Sequence, residues 1–226
     1  MFKALMYHYV DDNIQNPMCV SKKKFTDQII FLKSEGYKFL SLKEVEDIVL
    51  HNKPCEKSIV ITFDDGYKNT FQEVLPILIE YKVKATVSLC SSYLHEETCE
   101  KPTIHLSQEF GNVEDVEKWI VEGNDIAGHS YDHKKLSHLT NEEIEYEVNY
   151  DYKILAETFK QDINCFFYPF GSVNAFVEKV VSAKYKFAFV TDEGGRPTYE
   201  NRYRIHRICV RPEWSVDDLR SALNRE

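Results

Sequence analysis

The chain has 226 residues, 43% hydrophobic and 13% aromatic, enough for a sizeable core and in the range of one α/β barrel domain spanning 1–226. Its net charge of −9 sets the overall field against phosphate backbones and anionic lipid, so nucleic acid is excluded as an expected partner. The longest apolar runs, such as Val74-Leu75-Pro76-Ile77-Leu78-Ile79, fall far short of the roughly 18–20 residues of a membrane span.

Residues 1–10 are too short and polar for a secretory h-region and read instead as a first strand over 2–9. Six cysteines are scattered without CxxC spacing, so buried reduced thiols are expected rather than cysteine-ligated zinc or a disulfide framework. Together these features lead us to expect a cytoplasmic protein. Ser21 opens a helix with Phe25, Ile29 and Leu32 on one face and Gly36 as its stop, and Lys22-Lys23-Lys24 forms its solvated first turn. Ser41-Leu42-Lys43-Glu44 and Thr140-Asn141-Glu142-Glu143 have capping-box spacing and predict two further helix starts.

Short apolar runs at 58–63, 84–90, 125–128, 164–168, 185–190 and 205–210 predict strands. A helix over 69–82 contains Pro76 in its middle and is expected to bend there. Residues 90–124 read as a long connection with one helix, from 112 or 113 to 121, of the kind that shapes a substrate groove. Continuous apolar strands separated by helices imply a parallel sheet covered on its outer face, and about seven of them favour a closed or nearly closed β/α barrel.

The chemistry concentrates in two stretches, Thr62-Phe63-Asp64-Asp65-Gly66-Tyr67 and Gly128-His129-Ser130-Tyr131-Asp132-His133, each placed where a predicted strand runs out into a loop. Alone, Asp-Asp-Gly reads as a surface turn and HxxxH as an ordinary helix-surface pair. In combination, successive carboxylates pointing in different directions allow one to bind a cation while the other faces water. One turn of helix would bring the two imidazoles together, and two histidines with one aspartate make a facial set with open positions, suited to zinc or another divalent transition ion. The sequence does not identify what orients the imidazole rings, and His138 is expected to be a surface residue.

These two stretches, followed by Leu136-Ser137 and the Thr140 helix, and joined by Phe166-Phe167-Tyr168-Pro169-Phe170-Gly171, resemble the first three motifs of the polysaccharide deacetylases, the NodB-homology group of carbohydrate esterase family four. The resemblance covers about 58–210 and extends to the first strand. It implies a distorted β/α barrel of about seven parallel strands and hydrolysis of an N-acetyl group. It further implies Asp65, His129 and His133 as metal ligands, with zinc foremost and cobalt, nickel or iron as alternatives. Asp64 becomes the general base, a backbone N–H near Phe170 an oxyanion donor, and Tyr168, Pro169, Phe170 and Gly171 the substrate-binding turn. The implied partner is an acetylated amino sugar, as polymer or soluble precursor.

The chain also departs from the family pattern. Phe167 stands where most members carry an arginine, and no Asp-Trp fourth motif follows; Arg207 or Arg204 is the candidate replacement, with Asp192 as a partner and surface salt bridging as the competing explanation. For the general acid, Arg204-Ile205-His206 matches the usual Leu-x-His context poorly, whereas Tyr7-His8-Tyr9 resembles the branch with an N-terminal histidine, so His8 is preferred over His206. Tyr168, Phe170 and Trp214 are weighed as sugar-stacking rings against plain core packing. The alternative functions are a catalytically weak carbohydrate-binding relative and an amidase acting on a non-sugar C–N bond.

Overall fold

A computed structural model describes residues 2–13, 16–94, 109–191 and 201–224. Seven parallel strands close into a barrel in the order β1 (Lys3–Tyr7), β10 (Ile205–Cys209), β9 (Phe187–Thr191), β8 (Cys165–Phe167), β7 (Asp125–Gly128), β6 (Thr86–Leu89) and β5 (Ser58–Phe63), with β5 pairing back onto β1. The expected β/α barrel is therefore present, and its distortion has a local origin. The short β4 (Lys38–Phe39) pairs with the start of β5 at Ser58 and Ile59, whereas β6 pairs only with its end at Thr62 and Phe63. Two strands thus share one edge of β5. Between β7 and β8 the ladder register is confined to Gly128 and Phe166.

Alternation along the strands sorts side chains into two layers. Ala4, Val60, Ala127, Cys165, Phe167, Phe187, Phe189 and Ile205 form one buried cluster, which we read as the barrel interior. Their neighbours Leu5, Ile59, Ile61, Phe63, Ile126, Phe166, Ala188 and Val190 pack outward in the larger cluster shared with the helices. Outside the barrel lie α1 (Lys22–Ser34), α2 (Leu42–His51), α3 (Leu75–Tyr81), α4 (Val113–Val121), α5 (Asn141–Phe159), α6 (Ala175–Ser182) and α7 (Val216–Leu223).

The predicted helix starts hold: Ser41 and Thr140 both make reciprocal capping boxes, and Ser21 caps α1 by accepting from the Lys24 N–H. Asn112 caps α4 in the same reciprocal way as Ser41 and Thr140. Two expectations need correction. Pro76 does not sit in the middle of a regular helix; a π-helical turn, Thr70–Val74, precedes α3, and the Leu75 N–H reaches back to the Thr70 carbonyl. The wide turn absorbs the ladder position that proline cannot fill. Nor is 2–9 one strand. The chain breaks at His8, after which β2 (Tyr9–Val10) leaves the barrel to pair with β3 (Cys19–Val20).

Cys19, Cys55, Cys90, Cys165 and Cys209 are free thiols, and Cys99 lies outside the described residues. Among the described residues, no helix is long and apolar enough to cross a membrane.

Candidate active site

At the top of β5 the ladder runs one residue past the strand, with the Asp64 N–H donating to the Tyr7 carbonyl at 3.0 Å. The chain then turns through positive φ at Asp65 (73°) and Gly66 (72°). The positive φ at Gly66 favours glycine, and a Cβ there would also displace the end of the Leu89 side chain, 2.8 Å away at Cδ2. This turn separates the two carboxylates: Asp64 keeps the inward parity of Val60 and Thr62, while Asp65 swings towards the histidines.

Asp64 is buried and clamped by Arg207 from β10. Nη1 donates to Oδ1 at 2.5 Å and Nη2 to Oδ2 at 2.7 Å. Nη1 also donates to Thr62 Oγ1 at 3.2 Å, and the guanidinium lies 4.4 Å from the Phe167 ring centroid. Burial alone would raise the Asp64 carboxyl, but Arg207, followed by His129 and His8, outweighs it and holds the group below its ordinary value. Of the two candidate replacements for the third-motif arginine, then, Arg207 reaches the aspartate, and Phe167 stacks against it. Arg204 instead pairs with Glu178 at 2.5 Å near the surface, and Asp192 lies outside the described residues.

His129 and His133 are not on a helical turn. They sit in the loop after β7, which is folded by positive φ at Ser130 (65°) and His133 (54°) and brings their ring centroids to 4.9 Å. Such backbone is costly and persists where its surroundings overdetermine it. Asp65 Oδ1 lies 3.3 Å from His129 Nε2 and 3.1 Å from His133 Nε2. The ring orienter that the sequence left unidentified is a backbone atom: the Phe167 carbonyl, 2.7 Å from His129 Nδ1. A carbonyl only accepts, so Nδ1 carries a hydrogen, and Nε2 is the ring nitrogen turned to the carboxylate oxygen.

Those three donor atoms lie within 4.8 Å of one another, and Asp65 Oδ1 is buried with no hydrogen-bond donor. Two imidazole nitrogens and a buried carboxylate oxygen gathered this closely make a donor set that fits a divalent cation. Burial would raise the Asp65 carboxyl, yet the His133 and His129 imidazoles hold it well below its ordinary value, and the Tyr67 hydroxyl is hydrogen-bonded to it.

Two buried carboxylates on α5 hold the histidine loop from behind. Asp151 accepts from the Ser91 N–H at 3.0 Å and the His129 N–H at 3.2 Å, and Glu147 accepts from the Asp132 N–H at 2.9 Å. Sequence reasoning missed both; their signal was an acid every fourth residue on a helix face that also carries Ile144, Val148 and Leu155. Burial pushes the Asp151 carboxyl up to about 7.

His8, at the break after β1, continues the inward parity of Ala4 and is only partly exposed. Burial lowers its pKa, with the Asp65 and Asp64 charges opposing. His206 neighbours Arg207 on β10 and so takes the opposite parity. In the third-motif turn the Tyr168 side chain is fully buried, T-shaped against Phe166 at 5.3 Å, which leaves it no face for a sugar. Pro169 is buried as well, and a Cβ on Gly171 would meet the Thr191 carbonyl at 2.5 Å. Phe170 is the member of this turn that presents a ring to solvent, 47% exposed at φ 57°, with its centroid 4.6 Å from that of His133. Trp214 is partly buried and packs against the core.

The polysaccharide deacetylase family model matches residues 51–188. The poly-beta-1,6-N-acetyl-D-glucosamine N-deacetylase of Staphylococcus aureus (strain MSSA476) is 29% identical over 195 residues, covering 84% of this chain and 67% of that protein. The Streptococcus pyogenes deacetylase PplD superposes with a TM-score of 0.87 at 22% identity, covering 99% of this chain and 98% of its own. A Bacillus cereus polysaccharide deacetylase gives 0.84 at 23% identity, over 99% and 69% of the two chains. With the family model matched across β5 to β8, the aspartate pair and the histidine loop, the chain belongs to the polysaccharide deacetylase family.

Proposed function

We propose that residues 1–226 form one catalytic domain, a metal-dependent hydrolase that removes the N-acetyl group from amino sugars. The observation that carries this reading is the adjacency of an ionised, arginine-clamped carboxylate, Asp64, to the Asp65, His129 and His133 cluster at the C-terminal ends of the barrel strands. Asp65 Oδ1, His129 Nε2 and His133 Nε2 hold the cation; this oxygen and nitrogen donor set suits zinc, with cobalt, nickel and iron as alternatives. When bound, it supplies Lewis-acid polarisation of the acetyl carbonyl and a more acidic water.

Asp64, kept charged by Arg207, accepts a proton from the water as its oxygen adds to the acetyl carbon. The Phe170 backbone N–H donates to the carbonyl oxygen as charge builds there. His8 gives its proton to the sugar nitrogen, so that the C–N bond breaks to leave acetic acid and an amine, and the acid passes its proton to the amine to give acetate and an ammonium group. The proton on Asp64 then returns to His8 and restores both groups. Phe170 flanks the sugar ring, while Tyr168, Pro169 and Gly171 shape the turn that presents it. The name of the Staphylococcus aureus relative favours a polymeric N-acetylglucosamine substrate.

The test is acetate release from N-acetylglucosamine oligomers by the purified chain with zinc or cobalt, beside Asp64→Asn. Loss of general-base catalysis should cost about 10²–10⁴-fold in kcat. No acetate from a broad panel of acetylated sugars, or equal activity in the variant, would overturn the reading.

A further inference from the structure

Three tyrosines cluster on the flank of the histidine loop. Ring centroids are 5.5 Å apart for Tyr131 and Tyr146, 5.0 Å for Tyr131 and Tyr150, and 5.1 Å for Tyr146 and Tyr150, whose planes lie within 23°. Tyr146 and Tyr150 are one turn apart on α5 and remain 50% and 38% exposed. Core packing does not account for them, because the buried face of α5 is carried by Ile144, Glu147, Val148, Asp151 and Leu155.

Tyr131 lies two residues from each metal-site histidine, and its N–H donates to the Glu147 carbonyl at 3.0 Å. The aromatic surface is thereby continuous with the loop that carries His129 and His133. At its rim Lys134 pairs with Asp132 at 3.5 Å, and the exposed Glu142 stands one turn before Tyr146.

We propose that Tyr131, Tyr146 and Tyr150 form an accessory subsite that stacks on sugar rings of an amino-sugar chain beyond the residue presented to the metal site. The proposal rests on the deacetylase reading above and extends it to a polymeric substrate. Pyranose rings pair an apolar C–H face with a polar edge, which matches rigid tyrosine rings bordered by hydrogen-bonding groups. The exposed Glu142 carboxylate complements the ammonium groups that successive turnovers leave on the chain. A second copy of the protein is a poorer occupant, since three rings offer far less than the roughly 800 Å² per partner that a stable interface buries.

The experiment compares wild type with the double variant Tyr146→Ser/Tyr150→Ser, both substitutions lying at exposed positions. KM is measured on β-linked N-acetylglucosamine oligomers of two to six units. Binding is measured separately, by affinity electrophoresis through gels containing the acetylated polymer with metal chelated. For wild type, KM should fall with chain length; in the variant the ratio of disaccharide to hexasaccharide KM should drop about tenfold, and retardation by the polymer should disappear. Unchanged length dependence and retardation in the variant would overturn the proposal, as would wild type that the polymer does not retard. So would wild-type dimers that the variant dissolves while sugar binding stays intact. Tyrosine-dependent retardation by wild type that releases no acetate would uphold the subsite and reject the deacetylase reading.

Discussion

Arg207 grips both carboxylate oxygens of Asp64 across the intervening strand β1, at a sequence separation of 143 residues. Both partners are buried, so neither can be removed without stranding the other's charge, a loss of about 3–5 kcal/mol for comparable buried pairs. The pair also sets chemistry, because the planar fork fixes the carboxylate plane and keeps it ionised.

Arg207→Lys should keep the positive charge but lose the paired grip. Since Arg207 helps depress the Asp64 carboxyl, the charged form and the stability it carries are present above the ordinary carboxylate range and are lost as pH falls through the depressed value. The lysine variant should therefore show the acid limb of its kcat/KM profile moved to higher pH, with kcat reduced at neutral pH. A pH–rate profile, with circular dichroism confirming the fold at each point, checks this.

His129→Ala and His133→Ala should each bind less than stoichiometric metal after reconstitution, measured by elemental analysis. Because a cation held by the folded chain stabilises it, wild type at a free metal concentration 100 times Kd should gain about 2.7 kcal/mol over the chelated form. Either alanine variant should lose that metal-dependent rise in Tm. Unchanged metal content in both would remove the ligand assignment.

His8→Ala should discriminate between leaving groups. An amine departs only when protonated, whereas a nitrophenolate leaves without help. We expect a loss of about 10²–10⁴-fold on the N-acetyl sugar and a much smaller loss on 4-nitrophenyl acetate. Equal losses on both would assign His8 a structural role, and His206→Ala should spare both substrates.

Asp151→Asn tests the support behind the histidine loop. Its carboxylate gives one oxygen to the Ser91 N–H and the other to the His129 N–H, and an amide can satisfy just one of the two. Metal affinity should fall about 10–100-fold, as for other groups that orient a ligand. With the folded carboxyl pushed up to about 7, its stabilising protonated form is complete below the ordinary aspartate value and is lost as pH rises through about 7. For the chelated protein, the drop in Tm between pH 5.5 and 8 should therefore be smaller in the asparagine variant than in wild type.

What the sequence determined by itself is local. The apolar runs of β5 and β7 coincide with their observed bounds, and the capping boxes at Ser41 and Thr140 start their helices, because strand burial and end-capping depend on residues a few positions apart. The aspartate pair and histidine pair were legible for the same reason, each being a short run at the end of an apolar strand. β4 is two residues long, and the α7 pattern is brief, too little periodic signal to register.

Tertiary structure decided which distant groups serve that site. Strand parity in a closed barrel turns Arg207 inward beside Asp64 and sends His206 the other way, and it brings the Phe167 carbonyl under His129. It also buries Tyr168 while leaving Phe170 open. None of this follows from local pattern, since a one-residue change of register exchanges the inner and outer faces of a strand, and closure alone determines which strand ends meet.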